Sequence, residues 1–131
     1  MATAVTVIDE APGGGRSSEL TLEFLDERVS VRELIRARVY QEVSEYNARR
    51  PEIFRGLVQP SDAERTLNGF RLRRARALDW EAQYQRALQA FRHNGIIILV
   101  DDRQVMELDE VVDLRHNSTV TFLRLMPLVG G

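Results

Sequence analysis

Ile96-Ile97-Ile98-Leu99-Val100 is a run of large aliphatic residues with a turn signal on either side, Asn94-Gly95 before it and Asp101-Asp102 after it. A run this short, β-branched and apolar on both faces reads as a strand. It commits the chain to a sheet, and other segments supply the rest. Thr3 to Ile8 alternates polar and apolar residues and reads as a first strand. Leu20, Leu22 and Phe24 fall on one face of a second, and the Ala11 to Ser17 stretch between them is a glycine-rich turn, so the pair forms a hairpin. Gln104 to Met106 is a brief return strand, Leu108 to Leu114 a compact connection, His116-Asn117 a turn, and Val120 to Leu125 the closing strand.

Two helices are signalled between the strands. Ser30 with Glu33 three residues on is a capping box, and Val29 and Leu34 stand where a hydrophobic staple closes. Val31, Leu34, Ile35, Val39, Val43 and Tyr46 then recur at helical spacing. Pro51 biases the residue before it away from helix, which ends this element near Asn47 to Arg50. Asp79 reads as the cap of a second helix carrying Trp80, Tyr84, Leu88 and Phe91 as a core stripe. Gly95 suits the left-handed position that stops it. Residues 51–78 are punctuated by Pro51, Gly56, Pro60 and Gly69, yet carry Ile53, Phe54, Leu57, Val58, Leu67, Phe70 and Leu72. That is too apolar for a disordered linker and too broken for one long element. The order predicts an α+β domain over residues 1–131 with no internal repeat.

Composition narrows the chemistry. A chain of 131 residues with 44% apolar and 29% charged content is that of one globular domain. The net charge of −2 gives no reason to expect nucleic acid or an acidic membrane as the main partner. Without cysteine there is no disulfide, thiolate metal site or cysteine nucleophile. The first residues lack a basic segment followed by an apolar one, and no apolar run approaches a membrane span, so a cytoplasmic protein is expected. All 18 basic residues are arginine. A GC-rich coding bias explains that blandly. It also leaves no ε-amine for the chain to modify on itself. The cluster Arg71, Arg73, Arg74 and Arg76 is the one strong local charge run: a solvated surface in the plain reading, a docking patch for an acidic partner in the sharper one.

The chain closes on Met126-Pro127-Leu128-Val129-Gly130-Gly131. Glycine has no Cβ, so such a tail (127–131) can thread a narrow channel and present the Gly131 carboxylate for activation. Pro127 lacks an N–H and suits the point where ladder pairing stops.

That element order with a diglycine end resembles the ubiquitin-like β-grasp proteins, including bacterial ubiquitin-like modifiers and the sulfur carriers for thiamin and molybdopterin synthesis. The likeness is closest over residues 96–131 and extends to 4–46; residues 49–94, with the second helix, are an insertion that neither group has. The tail looks more like that of the molybdopterin-type carriers than the arginine-rich tail of ubiquitin. The resemblance implies that the chain is not an enzyme and binds no cofactor. An activating enzyme using ATP and Mg²⁺ would adenylate the Gly131 carboxylate. The acyl group would pass through an enzyme cysteine to amines on target proteins, with a conjugating enzyme and a deconjugating protease as further partners. The alternatives are a thiocarboxylate sulfur carrier and a non-covalent β-grasp binding module. The insertion, as extra recognition surface, and the missing lysines favour the modifier, while the proline-containing tail favours the carrier. The apolar patch that serves ubiquitin's partners would fall on Leu99, Leu123 and Leu125. The same strand is apolar on both faces, so burial of that patch under the insertion is the competing expectation.

Other constellations carry little. His93 and His116 read as surface residues, and Asp101, Asp102, Glu107, Asp109, Glu110 and Asp113 lack the spacing of a calcium loop, so no metal site is expected. Gly13-Gly14-Gly15 lacks the Lys-Ser/Thr of a phosphate loop.

Overall fold

A computed structural model of the chain describes residues 3–10, 16–66 and 69–125, with the side chains of 16–18 excepted. The elements are β1 (Thr3–Glu10), β2 (Arg16–Phe24), β3 (Arg28–Ser30), α1 (Val31–Arg49), β4 (Ala63–Thr66), β5 (Gly69–Leu72), α2 (Trp80–Arg92), β6 (Ile96–Val100), β7 (Arg103–Val105), β8 (Val111–Asp113) and β9 (Thr119–Arg124). The architecture is α+β. Two compact units share the chain, one made of Met1–Leu34 with Ala90–Gly131, the other of Ile35–Gln89.

The first unit is built on a five-stranded sheet ordered β2-β1-β9-β6-β7. β1 runs antiparallel to β2 and parallel to β9, and β6 is antiparallel to both β9 and β7. Alternation along the strands explains which residues make its core. Val5 and Val7 of β1, Leu22 and Phe24 of β2, Val120 and Phe122 of β9, Ile96, Ile98 and Val100 of β6 and Val105 of β7 are all buried, and the registers put them on one face. Asp9 is buried on that same face, opposite Phe122.

The turn between β6 and β7 is made by Asp101 and Asp102, both with positive φ (48° and 69°), the conformation a two-residue hairpin needs. The Asp101 carboxylate does further work across the sheet. It accepts the Thr119 N–H at 2.9 Å and the Ser118 hydroxyl at 3.0 Å. The hairpin tip is thereby tied to the start of β9. Replacing Asp101 with alanine removes both acceptors and leaves at a left-handed position a side chain with no polar group to hydrogen-bond locally; a loss of about 1–2 kcal/mol in urea unfolding is expected.

The capping signals have the predicted structure. The Ser30 hydroxyl accepts the Glu33 N–H at 3.1 Å, and the Asp79 carboxylate accepts the Glu81 N–H at 3.1 Å. The other orphan donors of α1 find partners that the sequence did not announce. Val31 and Arg32 donate to the Glu110 and Leu108 carbonyls at 2.9 and 3.0 Å. The segment read as a compact connection is therefore structured. It contains β8, which pairs antiparallel with β3 and buries Val112 between the exposed Val111 and Asp113. At the end of α2 the left-handed residue is Asn94, with φ of 60°, and not Gly95. Asparagine tolerates that conformation through its short polar side chain. Gly95 follows it, its N–H donating to Ala90 at 2.7 Å.

In the second unit the broken stretch folds as a small hairpin, β4 against β5, to which Phe54 adds a bridge opposite Phe70. Asn47 of α1 clamps the approach to α2, donating to the Leu78 carbonyl at 2.9 Å and accepting the Leu78 N–H at 2.8 Å. Gln83 of α2 donates to the Val58 carbonyl at 3.1 Å. Tyr46 and Phe54 meet edge to face at 5.2 Å. Gly56 is required where the Phe54 ring lies: a Cβ there would stand 2.1 Å from two ring carbons. Phe54 is fully buried, so the ring cannot swing clear. Gly56→Ala should cost about 1–3 kcal/mol in thermal or urea unfolding, the usual penalty of overpacking.

Candidate functional site

Pro127, Leu128, Val129, Gly130 and Gly131 lie outside the described residues. The frame that leads to them is well defined. β9 sits in the middle of its sheet between β1 and β6. Pairing continues one residue beyond it, where Leu125 donates its N–H to the Gly95 carbonyl at 2.9 Å. The last described position is thus held to the sheet.

Leu123 and Leu125 share a face as the alternation expects, and Leu99 joins them there. Leu123 is in register with Ile97, and Leu99 with Thr121, so these positions share the face opposite the core. Leu99 and Leu123 are half-buried and Leu125 is 37% exposed. Ile97 belongs to the same patch and was not singled out from sequence. In a run that is apolar at every position, alternation cannot say which members face outward. Ile8 of β1 and Thr121, both buried, floor the patch on the β1 side. Beyond them β2 presents Glu19, Thr21 and Glu23, all exposed on the same face. On the far side, Gln104 of β7 pairs with Leu99. The surface is an apolar centre with an acidic margin.

The arginine cluster is largely tied within its own unit. Arg71 bridges Glu52 at 3.0 Å and Glu64 at 3.5 Å, and Arg73 approaches Asp62 at 3.9 Å. Arg76 donates to the Ser61 carbonyl. Arg74 is exposed and makes no ion pair among the described residues. Sequence reading missed a buried charge pair close by. Arg38 and Glu42 stand at i and i+4 on the buried side of α1, with side chains 1% and 8% exposed and a 3.3 Å contact. The second Glu42 oxygen accepts the Leu57 N–H at 2.9 Å. The signal was present, since both residues interrupt the apolar stripe that Ile35, Val39 and Val43 define.

His93 and His116 are exposed. Among the described residues no three His, Asp or Glu side chains are grouped to hold a metal ion. Among the described residues no helix is long and apolar enough to cross a membrane. No protein-family model, curated protein or solved structure matches this chain.

Proposed function

We propose that this chain is a ubiquitin-like protein modifier of β-grasp type, acting through the carboxylate of Gly131. The observation that carries the reading is the placement of β9. A hairpin is followed by a helix, and the last strand then returns to lie parallel beside the first, in the sheet's centre. This arrangement is compatible with a β-grasp sheet. It anchors Leu125 firmly, six residues ahead of Gly131 in sequence.

The chemistry belongs to partner enzymes. A carboxylate is a poor acyl donor because oxide is a poor leaving group. In the activating enzyme a Gly131 carboxylate oxygen attacks the α-phosphorus of ATP, and pyrophosphate leaves with Mg²⁺ to give the acyl-adenylate. An enzyme thiolate displaces AMP to form a thioester. A target amine then displaces the thiolate, losing its proton to form an amide. This chain contributes the tail and the docking face of Ile97, Leu99, Leu123 and Leu125. The mechanism requires a free carboxylate at Gly131, whether left by translation or by trimming.

Mass spectrometry of protein from the native cell tests the reading. Arg124 is the last basic residue, so trypsin would leave Leu125–Gly131 attached to each modified target amine. Target peptides bearing that seven-residue remnant are expected. A chain whose intact mass instead rises by one sulfur-for-oxygen exchange is a thiocarboxylate carrier, which the Met126-Pro127-Leu128-Val129-Gly130-Gly131 ending favours. Unmodified chain with no remnant on any protein makes it a non-covalent binding module.

A further inference from the structure

β2 pairs with β1 along one edge, and among the described residues no strand covers its other edge. The hydrogen bonds of β1 show which backbone groups that open edge presents. Thr6 donates its N–H to the Ser118 carbonyl at 3.0 Å, so the backbone of Thr6 is turned toward β9 and away from β2. Thr6 stands opposite Thr21, and that pair therefore exchanges no hydrogen bonds. The N–H and C=O of Thr21 point outward in the plane of the sheet, and by alternation so do those of Glu19 and Glu23. Among the described residues these three make no backbone bond to any other segment. Leu20 and Leu22 are the residues that bond to Val7 and Val5 of β1.

The side chains along this edge sort onto two faces. Glu19, Thr21 and Glu23 are exposed on the face opposite the core, and neither carboxylate has an ion pair among the described residues. Leu22 and Phe24 are buried on the core face, and Leu20 is half-buried there. Three residues each offering an N–H and a C=O are a template for another strand. The charges decide which strand fits. A second copy pairing antiparallel through these three residues would be centred on Thr21. It would set Glu19 of each chain against Glu23 of the other, like charges directly opposite. The unit that holds β2 has 7 arginines against 13 acidic residues, a net −6, which also repels a copy of itself. Glu19 and Glu23 stand about 13 Å apart along the strand, a spacing that basic residues four positions apart match.

We propose that the open edge of β2 receives an extended segment of a partner protein as a further, antiparallel strand, one with basic residues four positions apart and apolar residues at the second and fourth of the five positions. The basic residues stand opposite Glu19 and Glu23 on the outer face, and the apolar ones opposite Leu20 and Leu22 on the core face. Main-chain bonds to Glu19, Thr21 and Glu23 hold the segment whatever its sequence, and the two carboxylates select it. The inference is independent of any reaction at Gly131.

Fluorescence polarisation of the full chain with a labelled peptide built around Lys-Val-Thr-Val-Lys tests it. Saturable binding is expected, weakening as salt rises. Glu19→Gln/Glu23→Gln should weaken binding about twofold to thirtyfold, the range for two opposite-charge cross-strand pairs, and remove most of the salt dependence. Thr21→Pro takes away an outward N–H and leaves the ladder to β1 intact, so binding should fall about threefold to tenfold. A peptide N-methylated at its central threonine lacks the donor for the Thr21 carbonyl and makes the same test on the unaltered chain, with a loss of the same size expected. Absence of binding at low salt overturns the proposal. So does an N-methylated peptide that binds as tightly as its parent, because the contact is then not strand addition. Equal binding of a peptide with glutamate in place of both lysines overturns it as well. Dimers of the chain that Thr21→Pro dissociates do the same, since the edge then belongs to a second copy.

Discussion

Replacing Glu42 with alanine should destabilise the fold by about 3–5 kcal/mol, the range for removing one member of a buried ion pair. Both Arg38 and Glu42 are nearly inaccessible, so the Arg38 guanidinium has no water to turn to when its neighbouring carboxylate is lost. The Leu57 N–H loses its acceptor in the same step. Glu42→Gln separates the two contributions. It keeps an oxygen for Leu57 and removes only the charge, so its loss should be smaller than that of alanine. The double replacement Arg38→Met/Glu42→Leu should cost less than Glu42→Ala, since apolar side chains of similar volume remove the desolvation cost with the attraction, and what remains is the Leu57 N–H left without its acceptor. Urea unfolding of the three variants checks the ordering. An alanine variant within about 1 kcal/mol of the native protein would mean that water reaches the pair.

The second large effect concerns activity under the proposed function. Deleting Gly131 withdraws the terminal carboxylate by about 3.5 Å, the length of one extended residue. Adenylation needs its attacking oxygen about 3–3.5 Å from phosphorus, and a misplacement of only 1 Å can cost about 10²-fold. ATP–pyrophosphate exchange by the activating enzyme that turns over the full chain should therefore fall by at least about 10²-fold. Binding to that enzyme through Ile97, Leu99, Leu123 and Leu125 should be nearly unchanged, so deletion lowers turnover without weakening docking. Exchange that stays within tenfold of the full chain would remove Gly131 from the chemistry.

What could be read from sequence was local. Ser30 and Asp79 announced their caps because the side-chain acceptor and the N–H that donates to it lie within three residues. Ile96–Val100 announced a strand because its composition leaves little alternative. The pairings that escaped are short and distant. β3 and β8 are three residues each, too few to show a period, and are joined by hydrogen bonds across about eighty positions. In β4, Ala63 is the only buried residue of four, so its pattern resembles a loop. The docking face was half legible. Alternation put Leu123 and Leu125 together, while Ile97 needed the register with Leu123 to find its side. The arginine surface was legible only as a run from Arg71 to Arg76.

The parallel pairing of β1 with β9 joins Thr6 to Thr119, positions 113 residues apart. On a ribosome the strand that fills the sheet's middle emerges after the four others of that sheet. Until then β1 and β6 each wait with one unpaired edge, and loop closure must be accomplished before that pairing rewards it. Refolding should accordingly be slow for a chain of this size, and the nascent protein depends on whatever shields those two edges during synthesis.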